Sequence, residues 1–177
     1  LCYYIERILG DPSEEAKVVF EEDGSIKIFV GTQSNGQGHE TVFAQFLSDQ
    51  IGIPTEKIIV VQGDSDLIPR GGGTGGSRSV TVQNNATLAT VEKIIQSFSQ
   101  YLSEKLEVEV EDIGFDDTSF RIKGSNYSPN VLEVAKMAYE DHRFDLLKHS
   151  AKATLDARSF PNGAHFAEVE VDPETGF

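Results

Sequence analysis

The sequence has very little cysteine, since Cys2 is the single thiol among 177 residues. One thiol cannot build a disulfide framework, a multi-cysteine zinc site or an iron–sulfur cluster within this chain. A lone cysteine and the lack of a signal-like start predict a reducing, cytoplasmic setting. No apolar run approaches the ~20 residues that a membrane span needs, so no membrane partner is expected.

Positive charge is also scarce. Lys and Arg number 15 against 29 Asp and Glu, which gives a net charge of −14. A protein that binds nucleic acid or an anionic membrane needs a basic face to neutralise phosphate, so both are excluded as partners. A local anion site made of backbone N–H groups stays compatible with this charge. The acidic stretch 104–117 is expected to be a solvated face and a connecting loop.

The length of the chain predicts one domain over residues 1–177. The sequence starts without an initiator methionine at Leu1 and stops directly after a turn at residues 172–176. These ends predict an excised piece of a longer protein. Such a piece would expose apolar surface that other segments normally cover, or hide it in a homodimer.

Alternating apolar residues and turn signals predict the strands. A hairpin is expected around Asp23-Gly24, joining residues 18–20 to residues 25–30. Three further strands are expected at 58–61, 120–122 and 164–171, the last with His165 on one face. Residues 148–155 show no clear pattern.

Helical spacing of apolar residues predicts three helices. The first covers residues 42–51 and ends at Gly52, and the second opens at Val80. The third is expected to begin at Ser128-Pro129, with Ser128 as the N-cap. We therefore predict an α+β fold with a mixed sheet, helices packed mainly on one face, and two strand–glycine loop–helix units.

The two glycine loops, residues 31–41 and 71–79, are the most informative feature. A helix N-terminus has unpaired N–H groups and partial positive charge, and glycines let a ligand approach the backbone closely. Together they form an anion site, most often for phosphate. Either loop alone could equally be a tight turn, and neither matches a P-loop or a Rossmann fingerprint. Arg78 could bind phosphate through its forked guanidinium, and Gln37, Ser77 and Ser79 could meet a polar ring system.

Other candidates are weaker. His39 lies in the first turn of a helix, where its neutral form is favoured, and it could be a hydrogen-bond donor or only a first-turn residue. Asp64 and Asp66 could bind a cation or a hydroxyl group, although turn formation also explains them. The remaining histidines and Arg158 show no metal-ligand spacing, and no catalytic triad or carboxylate pair can be defended. The residues therefore indicate a binding site more clearly than a reaction.

The sequence resembles the molybdopterin-binding region of molybdenum hydroxylase large subunits: the xanthine dehydrogenase, aldehyde oxidase and carbon monoxide dehydrogenase chains. The resemblance rests on residues 31–41 (GTQSNGQGHET), the following turn at 51–54, and residues 73–79 (GTGGSRS). Residues 3–6 and 166–176 agree with flanking strands of that family. The loop forms look most like the carbon monoxide dehydrogenase branch, which implies the cytosine dinucleotide form of molybdopterin.

The resemblance implies a cofactor site in both loops. Gln37 would contact the pterin or its phosphate, and the second loop would wrap the pterin and pyrophosphate. The cofactor-binding residues implied are Gly36, Gln37, Gly38, His39, Thr74, Gly76, Ser77, Arg78 and Ser79. In this family the pterin dithiolene holds molybdenum, so no metal-ligating side chain is expected.

The resemblance also implies what this chain lacks. The family's catalytic glutamate lies downstream of Phe177, so no catalytic residue is assigned here and the piece alone is expected to be inactive. The implied partners are the rest of the large subunit and the iron–sulfur and FAD subunits or domains. The intact enzyme would oxidise or hydroxylate an aldehyde, a heterocycle or a related small molecule, or oxidise carbon monoxide, with water as the oxygen source. Two alternatives stay open: a non-catalytic phosphate, nucleotide or assembly module, and a plain scaffold whose loops are only turns.

Overall fold

Eight strands and three helices form the α+β fold that the sequence predicts. The computed structural model describes residues 1–177. The strands are β1 (Cys2–Ile5), β2 (Ser13–Phe20), β3 (Ile26–Val30), β4 (Ile58–Val61), β5 (Ile113–Phe115), β6 (Phe120–Ile122), β7 (Lys148–Thr154) and β8 (Asn162–His165). The helices are α1 (His39–Ile51), α2 (Ser79–Leu106) and α3 (Val131–Glu140). Short 3-10 turns cover Thr55–Lys57, Val110–Asp112 and Phe144–Leu147.

A four-stranded mixed sheet in the order β4-β3-β2-β7 is the centre of the molecule. Only β3 and β4 are parallel. The predicted hairpin joins β2 to β3: the Glu21 N–H donates to the Ser25 carbonyl at 2.9 Å, and Gly24 has a φ of 78° that favours glycine. Strand β2 starts at Ser13, well before the predicted residue 18, because its first half pairs with β7.

Strand β7 is the element that the sequence pattern did not predict. It pairs with β2 over seven residues, from Ser13↔Thr154 to Val19↔Lys148. Its sequence, KHSAKAT, contains no large aliphatic side chain, so hydrophobic alternation is weak. The strand exists because β2 offers it a full ladder of backbone partners, which is a tertiary effect.

The helices cover one face of this sheet. Alternate residues of β2, among them Ala16, Val18 and Phe20, point into a core with Phe43 of α1 and Phe98 of α2. The opposite face is less covered, and Ile59 on it is 46% exposed. No helix combines the length and the apolar content that a bilayer crossing requires.

The start of α3 differs from the prediction. The N-cap is Asn130, not Ser128, and its side chain accepts from the Glu133 N–H at 2.9 Å. The Glu133 carboxylate accepts in return from the Asn130 N–H at 2.7 Å. This capping box supplies two partners to the helix start, whereas the Ser128 hydroxyl accepts from Arg121 at 2.6 Å. The sequence pattern therefore placed the helix start two to three residues early.

The C-terminal strand is also shorter than expected. Strand β8 ends at His165, which pairs with Cys2, the first residue of β1. Residues 166–171 therefore have no ladder to join. The β1–β8 ribbon and the following residues carry exposed apolar side chains, including Tyr3, Ile5, Phe166 and Val169.

The acidic stretch 104–117 contains the end of α2 and all of β5, so it is more structured than the expected loop.

Candidate functional site at two glycine loops

The two glycine loops leave the same end of neighbouring strands. The first follows β3 and leads into α1, and the second follows β4 and leads into α2. Because β3 and β4 are parallel, both strands end at one edge of the sheet, where α/β proteins commonly place ligands. The loops touch there: the Gly73 N–H donates to the Gly31 carbonyl at 3.3 Å.

Thr74 joins the loops through its hydroxyl. Its Oγ1 accepts from the Gln33 N–H at 3.0 Å and donates to the Gln33 carbonyl at 2.6 Å. The same oxygen lies 3.3 Å from Ser79 Oγ, in the first turn of α2. A single side chain thus connects the first loop, the second loop and the start of α2.

Two glutamines brace the first loop from outside it. Gln62 Oε1 accepts from the Ser34 N–H at 2.9 Å, and its amide nitrogen donates to Glu40. Gln83, fully buried in α2, accepts from the Gly31 N–H at 3.0 Å and donates to the Glu15 carbonyl at 3.1 Å. A polar residue on the buried face of a helix is the sequence signal that could have identified Gln83.

The helices that follow these loops begin without side-chain caps. Neither Gly38 before α1 nor Arg78 before α2 makes a side-chain cap bond, in contrast to the complete capping box of α3. The first N–H groups bonded within the two helices belong to Val42 and Val82. Uncapped N–H groups and the positive end of the helix dipole favour an anion at each helix start.

Glycines leave backbone open to a ligand around these helix starts. Gly36, Gly38 and Gly73 have φ values of 98°, 81° and 70°. A Cβ added at any of them would meet nothing within 4 Å. Between the loops lies a hollow of about 250 Å³, lined by residues of both, including Thr32, Gln33 and Gly71.

A larger cavity, about 610 Å³, lies elsewhere, between the β2–β3 turn and α3. Its carboxylates are already engaged: Glu21 pairs with Lys27 at 2.8 Å, and Glu133 caps α3. The smaller hollow between the glycine loops is the better candidate site, because both loops line it and each loop leads into a helix start without a side-chain cap.

His39 is buried at the start of α1, with 2% of its surface exposed. Burial lowers the pKa of its imidazole, and the neighbouring Glu40 opposes that shift. Its ring packs against Phe43 with centroids 5.0 Å apart, and its Nδ1 has no protein partner. Burial therefore favours the neutral form of His39, and its Nδ1 is a buried polar atom without a hydrogen-bond partner in the protein.

Gln37 in the first loop, and Gly76 and Ser77 in the turn before α2, each make hydrogen bonds within the protein. Gln37 is exposed, and its Oε1 accepts from the Asn35 N–H and from the Ser34 hydroxyl. Ser77, with a φ of 54°, donates to Glu6, and the Gly76 carbonyl accepts from the Leu9 N–H at 2.9 Å. No hydrogen bond joins Gln37 to Ser77. The two loops are connected by the hydrogen bonds of Thr74.

Arg78 does not present its guanidinium to a ligand in this structure. The side chain is almost completely buried, and all five of its N–H donors are used. The acceptors are the Asp11, Ser13 and Gly73 carbonyls and the Glu14 carboxylate, which takes two bonds at 3.1 Å each. With no donor left, Arg78 cannot fork a phosphate here as expected, and its observed contacts hold the second loop.

Glu14 is the residue that sequence reasoning missed. Strand β2 buries alternate positions, and Glu14 occupies one of them, in line with Ala16 and Val18. A carboxylate on the inward face of a strand is unusual unless it is paired. That break in the apolar alternation is the signal in the sequence that could have identified it.

The weaker candidates do not form a second site. Asp64 accepts from the Asp66 and Leu67 N–H groups at 2.9 and 3.2 Å, which is a turn contact. His149 is buried and bonds the Leu146 carbonyl, and Arg158 donates to the Gly10 carbonyl. No group of three or more His, Cys, Asp or Glu side chains is arranged to hold a metal ion.

The fold is α+β, and the two glycine loops follow the parallel strands β3 and β4 and lead into helix starts without side-chain caps. The family model described as "Molybdopterin cofactor-binding domain" matches residues 1–177. The chain therefore belongs to the molybdopterin cofactor-binding domain family of the molybdenum hydroxylases, as the resemblance of its loops predicts.

Curated relatives agree with this assignment. The chain is 32% identical over 167 residues to the carbon monoxide dehydrogenase large chain of Afipia carboxidovorans, covering 92% of this chain and 21% of that one. It is 34% identical over 171 residues to the nicotine 6-hydroxylase large subunit of Paenarthrobacter nicotinovorans, covering 93% and 21%. The chain thus spans about a fifth of the length of these relatives.

Solved structures show the same fold. The reconstituted carbon monoxide dehydrogenase from Oligotropha carboxidovorans superposes with a TM-score of 0.81 at 28% identity, covering 90% of this chain and 22% of that one. Quinoline 2-oxidoreductase from Pseudomonas putida 86 gives a TM-score of 0.73 at 22% identity, covering 91% and 23%. The second likeness supports the fold alone.

Proposed function

We propose that the two glycine loops hold the phosphate-bearing part of molybdopterin in a molybdenum hydroxylase large subunit. The observation that carries this proposal is the parallel pairing of β3 and β4, since two loops that lead into uncapped helix starts leave the same edge of the sheet and are joined through Thr74. The backbone N–H groups at Gly38, His39 and the start of α2 would bind the anion. Such a site needs no basic surface, which fits a net charge of −14.

The residues of the first loop fit a polar cofactor. Thr32 Oγ1 and His39 Nδ1 are buried and have no protein partner. A buried polar atom without a hydrogen bond is costly, so a ligand group that bonds either atom would be stabilised. Gly36 and Gly38 leave open space beside the backbone. When bound, molybdopterin supplies the redox chemistry of its molybdenum, and this chain binds and orients it.

The proposed site residues divide into two groups by their contacts. Gly36, Gln37, Gly38 and His39 would contact the cofactor directly from the first loop. Thr74, Gly76, Ser77 and Ser79 would place the second loop around the pyrophosphate. Arg78 belongs to the site as a positioning residue, because its donors are all used within the protein.

We further propose the cytosine dinucleotide form of the cofactor. The support is similarity to the carbon monoxide dehydrogenase and nicotine 6-hydroxylase chains at 32% and 34% identity. The complete enzyme would oxidise or hydroxylate an aldehyde, a heterocycle, a related small molecule or carbon monoxide with water. It would work in the cytoplasm with iron–sulfur and FAD subunits or domains. The exposed β1–β8 ribbon would contact the rest of the large subunit or a second copy.

The experiment is a cofactor analysis of the complete subunit that carries these residues. Oxidation of the denatured protein should release a fluorescent pterin, together with molybdenum and cytidine monophosphate in matching amounts. Pterin without the nucleotide would leave cofactor binding intact and contradict the dinucleotide form. A subunit that holds an ordinary nucleotide and no pterin would overturn the proposal and favour a non-catalytic nucleotide-binding module.

A matched pair of glycine variants links the loss to the site. Gly38 and Gly124 both have positive φ, 81° and 77°, and both face open space. The substitutions Gly38→Ala and Gly124→Ala therefore strain the backbone similarly. Only Gly38→Ala should release the cofactor, because only Gly38 lies at a proposed binding loop. Equal cofactor contents in the two variants would remove Gly38 from the site.

The piece alone is proposed to be inactive, because no residue of this chain is assigned to the chemical step. The 177-residue protein, loaded with molybdenum cofactor, should show no turnover with an artificial electron acceptor. Turnover above that of free cofactor would refute this part of the proposal.

A further inference from the structure

Glu14 carries a buried charge beneath the two glycine loops. Only 4% of the residue is exposed, and it lies at the start of β2, not in either loop. A buried carboxylate is destabilising unless other groups compensate it, so its position demands a reason beyond packing.

The carboxylate clamps the second loop from two sides. Its Oε2 accepts from the Gly72 N–H at 2.9 Å and from both terminal nitrogens of Arg78 at 3.1 Å. The same guanidinium donates to the Gly73 carbonyl at 2.6 Å. The backbone of Gly72 and Gly73 is therefore held through both its donor and its acceptor by one ion pair.

The other carboxylate oxygen lies against the first loop. A Cβ added at Gly31 would collide with Glu14 Oε1 and would lie 2.7 Å from the Gly71 Cα atom. Glycine at position 31 thus leaves the space that Glu14 occupies. One side chain therefore touches the start of the first loop and holds the second loop against it.

We propose that Glu14 is a positioning residue that sets the spacing of the two cofactor-binding loops, acting through Arg78 and the Gly72 backbone. The inference rests on the proposed function, since it concerns the same site. The pair also compensates the charge of Arg78, so the anion is held by backbone N–H groups and not by a free cation. Glu14 itself touches no ligand.

The test compares three variants in the complete holoenzyme: Glu14→Gln, Arg78→Met and the double variant. Glu14→Gln keeps the size of the side chain but places an amide where the guanidinium needs a carboxylate. The readout is the rate at which pterin and molybdenum leave the purified enzyme on dilution. We expect Glu14→Gln to accelerate release ~10- to 100-fold, the range typical when an outer partner of a binding group is removed.

A stability control separates positioning from general destabilisation. Val134 is fully buried in α3, away from both loops, and Val134→Ala should lower the Tm without opening the loops. At temperatures equally far below each variant's Tm, Val134→Ala should release cofactor at the wild-type rate. Equal acceleration by Val134→Ala and Glu14→Gln would overturn the inference.

The double variant tests the route through Arg78. If Glu14 acts through Arg78, the double variant should release cofactor no faster than Arg78→Met alone. Release rates that multiply would show that Glu14 acts independently and would contradict the proposal.

If Glu14→Gln does not accumulate, Gly72→Ala serves instead, because its Cβ would lie 2.6 Å from Arg78 Cζ and displace the guanidinium while keeping both charges. Wild-type release from Gly72→Ala would also overturn the inference.

The two levels of the proposal fail differently. A wild-type enzyme that contains no pterin would refute the proposed function itself. A wild-type enzyme that holds pterin, with a Glu14→Gln variant that holds it equally long, would refute only the role of Glu14.

Discussion

The carboxylate of Glu14 and the guanidinium of Arg78 form an ion pair at 3.1 Å in which each side chain is only 2% exposed. It is the only fully buried ion pair in the protein, because every other pair has both partners at least a third exposed. The pair joins strand β2 to the loop that precedes α2. The stability of that loop therefore depends on two residues 64 positions apart in sequence.

Removing Arg78 should be costly to stability. The substitution Arg78→Met leaves the Glu14 carboxylate buried without its partner, which typically costs about 3–5 kcal/mol. Urea unfolding followed by circular dichroism measures the change. The control is Arg121→Met, since Arg121 pairs with Asp116 at an exposed site and should contribute less than about 1 kcal/mol. If Arg78→Met and Arg121→Met lowered the free energy of unfolding equally, the buried pair would contribute no more to stability than the exposed one.

The glycines of the second loop should differ sharply in their tolerance of alanine. A Cβ at Gly71 would collide with the Gly31 carbonyl oxygen and lie 2.6 Å from the Gly31 Cα atom, whereas a Cβ at Gly75 meets nothing within 4 Å. We expect Gly71→Ala to destabilise by about 1–3 kcal/mol through overpacking. Gly75→Ala should be neutral or stabilising by up to about 1 kcal/mol. Thermal unfolding measures the Tm of the two variants. A lower Tm for Gly75→Ala than for Gly71→Ala would mean that the two loops are not packed against each other at Gly31 and Gly71.

Local signals explain which parts of the fold could be predicted from sequence. The Asp23-Gly24 turn and the Gly52 helix end need a backbone conformation that glycine adopts easily, and the structure has both glycines at positive φ. Amphipathic spacing likewise located α1 and α2. These features depend on residues close in sequence, so a single sequence carries them.

Long-range pairing explains what could not be predicted. Strand β7 forms because β2 supplies its partners, and the last residue of β8 pairs with the first residue of β1. The contacts of Arg78 have the same cause. Its place in a glycine loop suggested phosphate, but its partner Glu14 is distant in the chain and only the fold brings them together. The proximity of the two glycine loops was predicted, while the junction through Thr74 was not.

The start of α3 offers a test of helix capping. The substitution Asn130→Ala removes the side-chain acceptor of the capping box and should cost ~1 kcal/mol. Ser128→Ala should cost under about 0.5 kcal/mol, because the Ser128 hydroxyl only accepts from Arg121 near the surface. Chemical unfolding distinguishes the two. A larger loss from Ser128→Ala would move the helix start back to the position that the sequence pattern favours.

Acidification should destabilise the fold through His149. Burial lowers the pKa of its imidazole below the ordinary value of 6.5, although the hydrogen bond to the Leu146 carbonyl opposes the shift. As the pH falls through 6.5, His149 therefore binds a proton more readily in the unfolded chain than in the folded one. The penalty is absent above that pH and grows as pH falls below it, by at most about 1.4 kcal/mol per pH unit for one proton. His39 shifts in the same direction and adds to the slope.

The substitution His149→Gln isolates this contribution, since glutamine keeps an amide donor for the Leu146 carbonyl and does not titrate. The free energy of unfolding, measured in urea between pH 7.5 and 5.5, should fall less steeply in His149→Gln than in the wild type. The control is Ser150→Ala on the same strand, because Ser150 is exposed and does not titrate, so this substitution should leave the slope unchanged. If the slope in His149→Gln equals that of the wild type, the folded protein binds a proton at His149 as readily as the unfolded chain does. The His149 ring would then have to move away from Phe20 and Phe98, whose ring centroids lie 6.4 and 5.7 Å from its own.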